Sequence, residues 1–382
     1  MASMTVKGHM LYEYHVDANE QARFGNLTYD EIQADPDFSH KLISFVCNEY
    51  NPVDGRLYLG ATAFDNDIFF WFDIDKKEYH SLNFKEVAER FDIKIHRSLC
   101  IDDDGVVYGA TAGLHGYDQQ LEGKGGKVFR YDPRKGKIEI LGIPVPHQYI
   151  QTIALDKQRK ILYGFTYPVQ HGFRFDIATG KSKDFGCVAN GPHTPVIDDQ
   201  GNMWATWLQI YGFGITTFGL NSPQRCCFMQ YHPDTDKSTF HKKLHLPLMF
   251  PGDTGGWDSS VNGADGYIYL GSGAGGLFRF DPRILEIKYL GRPTASMRIA
   301  GLCVGKDGRI WGSAGSVGDT HLFAYDREPG HITDYGPIWD PELRTSCFYT
   351  HWICEPRKGE FYVAETDNME RAAYLWECNV NP

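Results

Sequence analysis

Long apolar runs are missing from this chain of 382 residues. Nothing approaches the roughly 18 consecutive apolar residues of a membrane helix, so no membrane span is expected. Positive charge is in deficit, with 38 Lys and Arg against 49 Asp and Glu and a formal charge of -11. That balance argues against a broad nucleic-acid surface but leaves room for an anionic ligand, which needs only a local cluster of donors. No basic start followed by an apolar middle marks a secretory signal. The opening "MASMTVKGHM" reads instead as an appended leader over residues 1–9, and the compartment stays open, secreted or periplasmic as much as cytoplasmic. GxSxG, HExxH and a phosphate-binding glycine loop are all absent, which removes positive support for serine hydrolase, zincin and nucleotide readings. The nine cysteines are odd in number, "CC" at 226 and 227 has no zinc-finger spacing, and Cys47, Cys100, Cys303 and Cys354 sit within apolar runs. Free, buried thiols are the expectation.

Turns and aromatics are abundant, with 41 Gly and 14% Phe, Trp and Tyr. "RSLCIDDDGVVYGAT" sets an Asp-Gly turn between two β-rich runs, a strong short-range hairpin signal. Comparable units recur with turn residues at Gly55, Gly105, Arg159, Gly201, Gly266, Gly308 and Gly359, spaced 42 to 65 residues apart. A third strand follows most of them, as in "VFRYDPRKG" and "LFRFDPRIL", and then a short fourth. Seven four-stranded antiparallel units predict an all-β, seven-bladed β-propeller over residues 1–382 as one domain. The seventh unit lacks a fourth strand, and the alternating run at 10–16, "MLYEYHV", is expected to supply it and close the ring. A pair of β-sandwiches would not explain seven regular hairpins.

In a propeller the first strand of each blade lines the central channel, so residues just before strand one and just after strand two share a mouth. A two-residue turn at Asp104 and Gly105 would pair 103 with 106, set 96 opposite 113, and bring His96 and His115 together although they are nineteen positions apart. The same arithmetic places Tyr149 opposite Tyr167 with His171 beyond, joins His193 to Trp207, starts a blade at Arg298, and sets His351 against Thr366 beside Glu365 and Asp367. Trp257, in "GGWDSS", is expected at the mouth, where an indole could stack on a sugar ring. Arg174 shares its repeat slot with Arg130 and Arg279 and so reads as a blade residue. The insertions "GLHGYDQQLEGKGG" and "LQIYGFGITTFGLNSPQR" would wall the same opening. Imidazoles, phenols and a guanidinium at one funnel supply base, acid and cation.

"KIHRSL", the second His at 115, and "YIQTIALD" with "ILYGFTYP" in the third unit resemble seven-bladed propeller polysaccharide lyases of the ulvan lyase and L-rhamnose-α-1,4-D-glucuronate lyase type, and the related propeller rhamnosidases. The resemblance implies β-elimination at a uronic acid, with an acidic oligo- or polysaccharide as partner. It assigns His96 and His115 to base and carboxylate neutralisation, Tyr149 or Tyr167 to proton transfer, and Arg298 to the carboxylate. Substrate contacts would come from His171, His193, Trp207, Trp257 and His351. Relatives commonly place an Arg near the third unit's Tyr, where this chain offers His171 or Arg174. The mechanism requires no cofactor, while a divalent metal held by histidines of different blades stays open. A monomer is expected. Two alternatives remain: a glycoside hydrolase using Glu365 and Asp367 as its carboxyl pair, and a propeller serving as an interaction platform.

Overall fold

The computed structural model describes residues 3–39, 43–188, 193–209, 225–251, 253–368 and 370–381. Seven four-stranded antiparallel sheets follow one another in a ring, six of them ordered by sequence from the innermost strand outward and the seventh taking its outermost strand from the N-terminal segment. The chain is a seven-bladed β-propeller, as its repeats predict.

The repeats are built by local chemistry. Asp54, Asp104, Asp265 and Asp307 each accept the backbone N–H two residues on, and the glycine after each takes a left-handed φ of 74 to 85°, which costs little without a Cβ. Tyr58 donates its hydroxyl to Asp54 at 2.6 Å, Tyr269 to Asp265 at 2.9 Å, and Trp311 its Nε1–H to Asp307 at 3.1 Å. The Asp-Gly-x-x-aromatic spacing is thus a strand clamping its own turn. Within blades, Gly109 and Gly164 lie under a third-strand Phe: a Cβ there would come 2.2 Å from Phe129 and 2.4 Å from Phe173.

The core is not at the axis. An apolar layer fills each of the gaps between neighbouring blades, from Phe69 and Phe129 between blades one and two to Phe45 and Leu375 between seven and one. An eighth cluster caps one end, where three short helices, Ala18–Phe24, Tyr29–Ala34 and Pro36–Ser39, bring Tyr29 and Phe38 onto Phe64, Phe91 and Tyr149. Capping boxes at Asp17 with Glu20 and Thr28 with Glu31 start the first two helices.

Three local expectations are corrected. The strand that closes the ring is Ser3–Met10, not 10–16, and pairs from Ser3↔Asn381 to Met10↔Tyr374. Met4, Val6 and Met10 join the apolar layer around Trp376, so the segment read as a leader carries the alternation that the blade selects. The Asp-Gly hairpin of blade two has a three-residue loop: Asp102 N–H donates to the Val106 carbonyl, and Leu99 pairs with Gly109. The register is therefore one residue away from that of a two-residue turn. Finally, five first strands carry an extra residue near their start, at Val46, Gln151, Asp258, Ala300 and His351. Such bulges bend the strand and re-aim what it carries.

Candidate active site

Three of these bulges serve one site: Asp258 and His351 with their side chains and Gln151 with its carbonyl. His96, just before the first strand of blade two (Leu99–Ile101), donates its Nδ1–H to the carbonyl of Gln151 at 2.6 Å, and Gln151 is the bulged residue of the next blade. A carbonyl only accepts, so this bond fixes the tautomer and leaves Nε2 as a lone pair. Burial, aided by Lys94, Arg97 and His193, holds His96 well below the ordinary histidine range. At neutral pH it is an uncharged imidazole whose Nε2 can accept a proton.

Around it stand His193 and His351, with ring centroids 6.4 and 5.2 Å from that of His96. His351 is likewise held well below the usual range by burial and by Arg97 and Arg298, and its Nδ1 is buried without a partner. His193 donates Nδ1–H to Asp258 at 2.5 Å, yet burial and the neighbouring guanidiniums still lower its pKa.

Asp258 is the hub of this cluster. Arg97, with no exposed surface, places Nη1 3.0 Å from Asp258 Oδ1 and 2.5 Å from its carbonyl, and Arg298 donates Nε–H to Oδ2. Burial would raise this carboxyl, but Arg97, Arg298 and His193 overcome it and keep it ionised. Burial pushes the Arg97 guanidinium down to about 10, still cationic at neutral pH. Arg298 also stacks 4.0 Å over the Tyr349 ring. One carboxylate thus serves two guanidiniums, and Arg97 Nε and Nη2 and Arg298 Nη1 are buried with no acceptor among the described residues. Buried unpaired donors are costly, and with one carboxylate for two guanidiniums they leave the funnel wall with uncompensated positive charge that favours an anion. Lys94 adds a further cation close by.

Of the residues expected from the sequence, the structure brings together His96, His193, Arg298 and His351. Tyr149 does pair with Tyr167. The remainder lie elsewhere. His115 packs on Phe91 at 4.7 Å and Tyr149 at 4.8 Å, with no ring contact to His96; the pairing is one residue off at Leu99↔Gly109 and three off at Lys94↔Ala112, so His115 no longer faces His96. Tyr149 is 3% exposed within the capping cluster, and Tyr167 is on the surface. His171, on a third strand, is held by Asp184 at 2.8 Å, and Arg174 binds Tyr231 and Asp236 across the blade gap. Trp207 packs on Phe240. Trp257 is buried against Phe228 with Nε1–H on the Thr194 carbonyl, so no face is free for a sugar. The blade-four insertion lies outside the described residues over 210–224.

Glu365 is not half of a hydrolytic pair. It is fully buried, bridged by Arg371 at 2.8 Å, and accepts the N–H groups of Phe348 and Tyr374. That is a structural lock, and Asp367 is left alone near His351 at 3.9 Å. Sequence reasoning missed Lys94, Arg97, Asp258 and Tyr349. The signal was present: each lies within a few residues of a first-strand start, where His96 and Arg298 were found. Among the described residues, no three His, Cys, Asp or Glu side chains are grouped to hold a metal.

No protein-family model matches the chain, and no curated protein matches it. Solved structures do. Virginiamycin B lyase from Staphylococcus aureus superposes with a TM-score of 0.62 at 13% identity, covering 99% of both chains. A catalytically inactive His-to-Ala variant of that lyase, with quinupristin, gives 0.63 at 12% identity and again 99% of each chain. An oligogalacturonate lyase in complex with manganese gives 0.58 at 12%, over 100% of this chain and 99% of its own. At such identities the likeness establishes the shared seven-bladed fold.

Proposed function

We propose that the protein is a carbon–oxygen lyase that cleaves a uronic-acid-containing glycan by β-elimination, at a rhamnose–glucuronate linkage. One observation carries this reading: two guanidiniums share Asp258 and keep unpaired donors beside a neutral His96 whose Nε2 is free. Elimination needs that combination. The uronate carboxylate docks against Arg298, which keeps some exposed surface, with the fully buried Arg97 cation behind it; together they make the adjacent C5 proton more acidic by stabilising the charge that develops on the carboxylate oxygens. His96 Nε2 takes that proton. The C5–H electron pair becomes the C4–C5 double bond as the C4–O4 bond breaks, and the departing rhamnose oxygen takes a proton from the His96 imidazolium. Tyr349, under Arg298, is the phenol of this funnel, a part that the sequence had given to Tyr149 or Tyr167. Lyases among the structures of the same fold, one of them inactivated by loss of a single histidine, support the reading at the level of reaction class.

The test is incubation with a rhamnose-capped glucuronate oligosaccharide, following both free rhamnose and the ultraviolet absorbance of the unsaturated uronate. Both should rise together. Rhamnose released without that absorbance would mean hydrolysis and would overturn the proposal.

A further inference from the structure

The channel has a second end, and its chemistry is opposite. Following the first strands away from the funnel leads to a cavity of about 500 Å³ whose walls include Leu99, Ile153, Val196, Val261, Trp352 and Glu49. Its size is that of a small-ligand site, and beside this apolar wall its lining carries Asp102, Asp103, Lys157 and the polar Thr152, Thr194, Ser260 and Asn262 as well as Glu49.

Glu49 accepts the Trp352 indole N–H on Oε1 at 3.0 Å, and no ion pair engages it among the described residues. The other charges at this end are already matched: Lys157 binds Asp103 at 2.8 Å and Lys160 binds Asp102 at 2.5 Å. The thiols of Cys47, Cys100, Cys303 and Cys354, which interact with Glu49, are pushed up by burial and stay neutral. Glu49 is therefore the acid of this cavity with no direct ion pair among the described residues, Lys157 acting on it only from a distance, and the Trp352 indole that donates to it also packs on the apolar layers on either side of blade one. Burial pushes its carboxyl up to about 7, with the Trp352 bond and Lys157 opposing. A carboxylate in an aliphatic and aromatic pocket is the arrangement that recognises a cation carrying its own apolar surface, through charge and through the ring face.

We propose that this end of the channel binds a small organic cation of the alkylammonium class, held by Glu49 and Trp352. The site is separate from the funnel and does not depend on the elimination chemistry assigned there.

Calorimetric titration of the full chain with choline chloride, and with its uncharged isostere 3,3-dimethylbutan-1-ol, tests this. Choline should bind about tenfold or more tightly than the alcohol. Its affinity should weaken as pH falls below about 7, where Glu49 takes a proton. Glu49→Gln keeps an acceptor for the Trp352 N–H and should erase the preference; His96→Ala, in the funnel, should leave it intact. Should Glu49→Gln fail to fold, Val261→Trp fills the cavity from another wall and should abolish binding. Absence of choline binding, equal binding of both probes, or a preference that survives either cavity substitution in a folded protein overturns the proposal.

Discussion

A histidine whose Nδ1–H is committed to a carbonyl can do one thing with its other nitrogen at neutral pH, which is to accept. His96 is in that position, and its lowered pKa keeps it free of a proton into mildly acid solution. His96→Ala should therefore cost about 10²–10⁴-fold in the elimination rate. It should also remove the acid limb of the rate profile, which in the wild type lies below 6.5, the ordinary histidine value. Comparing kcat/KM across pH for the two proteins checks both points. Asp258 acts through others, by aiming Arg97, Arg298 and His193. In Asp258→Asn the guanidiniums lose their anchor. The expected result is a rise in KM for the uronate together with a fall in kcat of about a hundredfold. A loss in kcat alone, with KM intact, would show that carboxylate docking does not need this residue.

At the scale of the element, the glycine in the second strand makes room for the neighbouring strand's aromatic ring. A Cβ at 109 would lie 2.2 Å from Phe129 Cζ, whereas one at 273 would meet nothing within 4 Å. Gly109→Ala should cost about 1–3 kcal/mol from overpacking, while Gly273→Ala should be near neutral. Urea unfolding of both variants measures the contrast, and equal midpoints would remove the packing argument. The same strands show what was legible in the sequence. Hairpins at Asp-Gly and the third-strand "FRYD" pattern announce themselves through turn chemistry and period-two alternation, so seven blades could be counted. A bulge has no such signature, because one extra residue leaves the alternation on either side intact. Yet Asp258 and His351 enter the funnel from bulges, and Gln151 offers its carbonyl to His96 from one. Likewise, Asp-Gly marks a turn without fixing its length, and the one-residue difference at Asp104, with a further slip of two residues by the Lys94↔Ala112 bridge, separated His115 from His96. The histidines that the structure does bring together, His96, His193 and His351, lie close to strand starts, where register error has not accumulated.

Across the whole molecule, the funnel and the closing strand tie stability to pH in two separable ways. His96 and His351, both under a tenth exposed, have pKa values below the ordinary 6.5, mainly through burial. Once pH falls below that value, the unfolded chain binds protons at these groups that the folded chain refuses. Stability should then fall by about 1.4 kcal/mol per pH unit for each of them. Over the range from about 7 to 4.5 this is offset by one such slope of opposite sign from Glu49, whose raised carboxyl takes its proton first in the folded chain. The closing strand responds later. Its His9 meets Glu377 at 2.8 Å, as does Lys77. Although burial opposes it, these partners and Asn379 bring the Glu377 carboxyl from 4.5 to about 2. Here the folded state keeps the carboxylate, so its contribution is complete above 4.5 and drains away as pH approaches 2. Melting temperature recorded from about pH 8 to about pH 2 should decline in two phases, funnel first and ring closure second. His351→Gln should shallow the first phase by one histidine's slope and leave the second, and Glu377→Gln should do the reverse. If His351→Gln left the first phase unchanged, the acid response would have to originate outside the funnel.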